Sequence, residues 1–301
     1  MQSIRRSMAR LAIRKPYNIR SFSVSLRTQE QSKQARDFPW LLSQDKTRIP
    51  KYPYESAPQD WSFLNLLPTG LQHVLAQWLG NRILQLNTGS EYFPDQFLVG
   101  ASLASRRALE LLSKELSQPN PDTKAELEDM LGPDLLDRFV KAVPPESSIS
   151  IGLPQIYDVN VGDIWITLGN PRAFSDTDKY DVLRWMTVQV GLSKSKLPDD
   201  EESFQDYRER VAKSILEGVQ VGVDVQIDAD IAFEIKQDQQ VLIYDQGRRT
   251  LRMRFATPYF EPASKMVAGR DEETGEPINN WNWRLVDIDQ LLEKEAMEQE
   301  S

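Results

Sequence analysis

Two periodicities divide the chain. From Leu71 to Val140 apolar side chains return every third or fourth position, the spacing of an amphipathic helix. Beyond Pro145 they return every second position, the spacing of a half-buried strand. The first helical stretch covers 69–87, with Leu71, Val74, Leu75, Trp78, Leu79, Ile83 and Leu86 on one face. It is too short to span a bilayer, and Gln72, His73, Gln77, Asn81 and Arg82 make it too polar. Its stripe has two destinations. The ordinary one, and the expectation here, is the protein's own core. The other is a membrane interface, with Trp78 at headgroup level.

A second helix follows Pro94, with Asp95 placed as its N-cap and Phe97, Leu98, Ala101, Ala104, Leu111 and Leu112 at helical spacing until Pro119 and Pro121. Thr123-Lys124-Ala125-Glu126 has the spacing of a capping box and opens a third helical region. Gly132-Pro133 interrupts that region, and Leu135, Leu136, Phe139 and Val140 resume its stripe.

The strongest strand signal spans 219–235, where Val219, Val221, Val223, Val225, Ile227, Ala229, Ile231, Phe233 and Ile235 fill every odd position. Such alternation predicts one buried face and one wet face, with Asp224, Asp228, Asp230 and Glu234 on the wet one. Shorter runs lie at 159–161, 164–166, 186–192, 251–255 and 281–285, and Asp245-Gln246-Gly247-Arg248 reads as a hairpin turn. A charged insert at 196–217 carries a helical stripe of Phe204, Tyr207, Val211 and Ile215. The expected fold is therefore α+β: N-terminal helices on a mostly antiparallel sheet of five or six strands. No internal repeat is visible.

Charge adds a compartment. The formal net charge is −9, yet residues 1–29 hold Arg5, Arg6, Arg10, Arg14, Lys15, Arg20 and Arg27 and no acid. Removing them leaves 29 basic and 45 acidic residues, a body of −16. A cationic, amphipathic, acid-free leader with serines is the composition of a mitochondrial transit peptide. Arg20, Phe22 and Ser25 fit two-step matrix processing, which places the mature start at Glu30. The expected organisation is a transit peptide at 1–29, a proline-punctuated arm at 30–68, a folded domain at 69–293 and an acidic tail at 294–301. Within the arm, Phe38-Pro39-Trp40-Leu41-Leu42 is an apolar island expected to dock on the protein's own core.

With no cysteine and a single histidine, His73, the chain has no thiolate chemistry and no site needing two histidines. Motifs for nucleotide binding, metalloprotease or serine-hydrolase chemistry are absent, so no catalytic, cofactor or metal residue is assigned. His73 is expected to be a surface or packing residue and Asp163 a turn residue. All acids of the long strand are expected on its wet face, which leaves that strand no buried carboxylate.

The succession of an amphipathic helix, Phe97-x-x-Gly100-Ala101, the interrupted Leu-rich helix at 124–143, the sheet and a terminal Trp281-x-Trp283-x-Leu285-x-x-Ile288 resembles the Tim-forty-four-like domain over residues 70–293. Within that superfamily the chain is most similar to the matrix AAA-protease-interacting protein family. The resemblance implies a curved sheet closed by helices, a nuclear-transport-factor-two-like cone. It also implies a non-enzymatic matrix protein, peripheral to the inner membrane, that associates with subunits of the membrane AAA protease and assists maturation of imported membrane proteins. Relatives in the superfamily tether mitoribosomes or anchor the import motor. A body of −16 makes the mitoribosome the less favoured partner, and no DNA partner is expected.

A cone implies a concave groove, with Trp165, Met186, Phe233, Phe255, Trp281 and Trp283 as its candidate lining, open to lipid or hydrophobic client segments or else filled as core. Candidate membrane or partner contacts are Trp78, Leu79 and Ile83 on the first helix and Arg252 and Arg254 on a strand. The two arginines are expected either to meet headgroups or to pair across the sheet with Asp224, Asp228, Asp230 or Glu234, the second being favoured.

Overall fold

The structure is a computed structural model and describes residues 38–39, 66–176, 178–195, 203–237 and 240–300. The leader, its processing residues Arg20, Phe22, Ser25 and Glu30, most of the arm and the segment 196–202 lie outside the described residues.

Four helices come first: α1 (Thr69–Thr88), α2 (Phe97–Ser117), α3 (Pro121–Met130) and α4 (Pro133–Lys141). One curled sheet follows, with β1 (Ser147–Gly169), β2 (Tyr180–Trp185), β3 (Val188–Ser193), β4 (Val219–Gln237), β5 (Gln240–Ala256) and β8 (Arg284–Ile288) in spatial order β2-β3-β1-β4-β5-β8. Helix α5 (Phe204–Glu217) precedes β4, a two-stranded ribbon is formed by β6 (Gly269–Arg270) and β7 (Pro277–Ile278), and α6 (Leu291–Glu300) ends the domain. All pairings of the main sheet are antiparallel except β1 with β3. The α+β cone expected from the sequence is the fold.

Strand β4 sets the interior. Every odd residue from Val219 to Ile235 is buried and faces α2 and α4 across the core. Strand β1 follows it along almost its whole length, with register shifts at 152–155, 156–158 and 161–164 that add curvature. The runs at 159–161 and 164–166 are thus parts of one bulged strand.

Other local expectations change. Asp245–Arg248 is not a turn. It lies inside β5, opposite residues 230–233, and the hairpin closes where Gln237 pairs with Gln240. Gln246 and Arg248 face outward, while Asp245 lies opposite Phe233 on the inner face and is paired to Arg249 (2.8 Å). Helix α3 is capped by the side chain of Asn120, three residues before the Thr123 box, which accepts from the Asp122 N–H. Asp95 lies in a wide helical turn, Tyr92–Gln96, that leads into α2, so it caps nothing. Trp281 and Trp283 precede β8 and are not part of it.

Strand β3 covers only Ile166–Gly169 on the outer edge of β1. Upstream, helix side chains stand in for a neighbouring strand. Gln77 of α1 accepts from the Ile164 N–H (2.7 Å). Ser113 of α2 accepts from the Ile151 N–H (2.7 Å) and donates to the Ile151 carbonyl (2.9 Å), and Ser117 does the same at Ile149 (3.1 and 2.9 Å). An exposed row of backbone groups is thereby satisfied without another strand.

Candidate interaction surface on the first helix

Helix α1 is docked the opposite way round from the expectation. Its buried positions are Gln72, Ala76, Gly80, Leu84 and Thr88. The apolar stripe faces outward: Val74 is 59% exposed, Trp78 64% and the adjoining Leu66 85%, with Leu71, Leu75 and Leu86 also exposed. Leu79 and Ile83 are half-buried and lean on a second, smaller core of Ala76, Ile166, Trp185, Met186, Val188, Val190 and Leu192.

Three features under the helix explain the inversion. Gly80 and Ala76 let the helix axis come close to β1, and a Cβ at Gly80 would lie 2.6 Å from the Ile164 side chain. Gln77 bonds to Ile164 and donates to the Thr187 hydroxyl (3.0 Å), and Gln72 accepts from the Trp185 indole N–H (3.0 Å) while donating to the Leu67 carbonyl (2.9 Å). His73 Nε2 lies 2.8 Å from Asp163 Oδ1. The sheet edge offers unpaired donors and acceptors here, and only polar side chains can meet them. Three of the residues that made α1 look too polar for a membrane, Gln72, His73 and Gln77, belong to its docking face.

Asp163 belongs to a buried ionic cluster on the outer face of the sheet. It is not a turn residue but sits in β1 at a bulge, buried. Asp224 of β4 is 0% exposed, which corrects the expectation of a uniformly wet even face. Its carboxylate accepts from the Trp165 indole N–H (2.6 Å), from Arg252 Nε (3.0 Å) and from Arg254 Nε (2.7 Å). Arg252 also reaches Asp163 (3.2 Å), Arg254 reaches Glu293 (3.2 Å), and the Arg254 guanidinium lies 4.4 Å from the Trp165 ring centre. Burial pushes the Arg254 pKa down, but the charge and hydrogen bond of Asp224, with Glu293 and Asp287, outweigh it and hold the group above the ordinary arginine value. Arg252 and Arg254 are therefore cross-strand partners of Asp224, the pairing favoured from the sequence. Arg248 pairs likewise with Asp228 (2.6 Å).

The candidate groove is filled. Phe233 and Phe255 are buried in the main core and Met186 in the second, at the β2–β3 turn. Trp165 points to the opposite face, into the ionic cluster. Phe255, Phe97, Trp283, Trp281 and Phe260 form one chain of ring contacts with centroids 4.8–6.2 Å apart. Ten residues along β4, Phe38 from the arm lies 5.7 Å from Phe139 and 5.8 Å from Phe233. An open cleft of about 390 Å³ lies elsewhere, between the end of α2 and β1, and is lined mainly by polar residues including Ser113, Ser117, Asn120 and Thr123.

Among the described residues no group of three or more His, Asp or Glu is placed to hold a metal ion, and no helix is long and apolar enough to cross a membrane. Sequence reasoning found the α1 stripe but not its direction. The signal that gives the direction is the pair Ala76 and Gly80, one turn apart on the face opposite Trp78. No protein-family model matches the sequence, and no curated protein matches it either.

Proposed function

We propose that this chain is a non-enzymatic adaptor of the mitochondrial matrix, held peripherally at the inner membrane by the outward face of α1. There it associates with subunits of the membrane AAA protease and assists the handling of imported membrane proteins. The observation that carries this reading is the exposed stripe of Leu71, Val74, Leu75, Trp78 and Leu86, with the adjoining Leu66, on a helix docked by its opposite face. An aromatic and aliphatic face of that kind suits an interfacial helix or an apolar partner.

Charge supports the same face. From Trp61 to Ser90 the chain has no acidic residue, and Arg82 is exposed on α1, whereas the body beyond residue 29 carries −16. Anionic lipid repels most of such a surface and spares this face, which orients the molecule on a membrane. The cationic leader supports the compartment.

The test is purification of tagged protein from mitochondria in mild detergent, beside membrane fractionation of the double variant Leu75→Glu/Trp78→Glu. Recovery of AAA-protease subunits is expected, with the variant shifted to the soluble fraction. Recovery of ribosomal proteins or import-motor subunits instead would favour a tether, and recovery of neither removes both readings. A folded variant that stays on the membrane removes α1 as the contact.

A further inference from the structure

Strand β8 covers the outer edge of β5 only in part. It pairs with Met253–Ala256, and just before it the Arg252 N–H donates to the Asp289 carboxylate (2.9 Å) while the Arg252 carbonyl accepts from the Asp289 N–H (2.7 Å). The pairing of β5 with β4 runs without a shift from Ala256 back to Ile243. Arg248, Gln246 and Tyr244 therefore direct their N–H and C=O groups to the same side as Arg252. Among the described residues no strand pairs with 240–251 on that side. From Ile243 to Leu251 this edge has no proline, no lysine and no bulge, the common devices that blunt an edge. It carries instead Asp245 and Arg249 on its inner face, one on either side of Gly247. Those charges disfavour an apolar strand and suit one with the opposite charge pattern.

We propose that this edge is a self-association surface whose partner is β5 of a second copy, antiparallel and centred on Gly247. Read backwards, the segment is its own complement. The pairing sets Asp245 of each copy opposite Arg249 of the other, and Gln246 of each opposite Arg248. Gly247 falls at a pair without hydrogen bonds of its own, where two strands come closest, with Cα atoms about 4.5 Å apart. Neighbouring registers are worse. Centring on Arg248 opposes two guanidinium groups, and centring on Gln246 sets Ile243 against Arg249. The charge pattern thus selects one register. The inference stands on the edge alone, independent of compartment, protease or α1.

The chain has no cysteine, so a single introduced thiol reports on the axis. A Cβ at Gly247 meets no atom within 4 Å. In full-length Gly247→Cys the two thiols face each other within the roughly 4.4–6.8 Å Cα separation of a disulfide, and mild oxidation is expected to cross-link a dimer. In Tyr244→Cys they lie about 20 Å apart along the strands, and no cross-link is expected. Sedimentation equilibrium of the wild type in detergent-free buffer should rise with concentration towards twice the 34.6 kDa of one chain. Asp245→Arg and Arg249→Asp each oppose like charges and should weaken the dimer at least about tenfold, and the double exchange Asp245→Arg/Arg249→Asp should restore it. If a charge variant does not fold, Gln246→Pro removes one outward N–H, keeps the bonds to β4, and should also weaken the dimer. A monomer at every concentration, expected if a segment of the same chain or a foreign peptide is the true occupant, overturns the proposal. So does a dimer indifferent to these substitutions, or equal cross-linking of Tyr244→Cys and Gly247→Cys. Because no membrane is present, failure here leaves the role of α1 untouched.

Discussion

The two long helices that open the fold have similar lengths and both show an apolar stripe, yet they dock by opposite faces. Helix α2 buries Phe97, Ala101, Ala108, Leu109, Leu112 and Leu116 in the cone and turns Ser113 and Ser117 to the edge of β1. Helix α1 buries Gln72, Ala76, Gly80 and Leu84, bonds to the same edge through Gln77, and turns Leu71, Leu75, Leu86 and Trp78 to solvent. Both helices complete the open edge of one strand. They differ in what lies beside that edge: under α2 it is the apolar interior, and under α1 it is a bulge with the buried Asp163 at its centre. Periodicity identifies a face but not what the face meets.

Substitutions separate the two helices, and the largest effect is expected beneath α1. Asp224→Ala leaves Arg252, Arg254 and the Trp165 indole without their shared partner, and a buried pair broken in this way costs about 3–5 kcal/mol by chemical denaturation. Leu112→Ala empties a fully buried site on α2 and is expected to cost about 2–5 kcal/mol, while Leu75→Ala on α1 should stay within about 0.5 kcal/mol. Equal losses at the two leucines would erase the contrast. Gly80→Ala sets a methyl group against Ile164 and Gln77→Ala strips the acceptor from the Ile164 N–H, each worth about 1–3 kcal/mol. Hydrogen exchange should place both losses at α1 and β1, leaving α2 protected.

The smallest effect is a pH dependence at the end of the sheet. Asp287 of β8 accepts from the backbone N–H groups of Ile288, Leu292 and Glu293. Burial pushes its carboxyl above the ordinary 3.8, against those N–H groups and Arg254. The unfolded chain then releases this proton at lower pH than the folded one. The contribution of the group to stability is present below 3.8 and is lost as pH rises through the folded value. The stability of wild type relative to Asp287→Asn should therefore fall as pH is raised through that window, and a constant difference would refute the shift.

The layout of the fold was legible because β4 alternates without a break and because prolines mark the helix ends. What was not legible depended on partners far away in sequence. Asp224 shares its parity with the wet residues of β4 and becomes buried only because Arg252, Arg254 and Trp165 converge on it from two other strands. Asp245–Arg248 has the composition of a turn, yet it continues β5 because the pairing with β4 runs straight through it. The docking of Phe38 on the core was readable from its apolar neighbours. The filling of the groove was not, since the rings that close it come from the arm, α2 and the segment before β8.

The polar seam under α1 has a consequence in temperature. Apolar attraction weakens on cooling. Hydrogen bonds such as those of Gln72 and Gln77 do not share that dependence. The grip of α1 on its own sheet, part polar and part apolar, and the outer contact proposed for its exposed stripe therefore rest on different balances of forces. Under that proposal chilling should release the outer contact first, leaving the protein folded with its first helix in place.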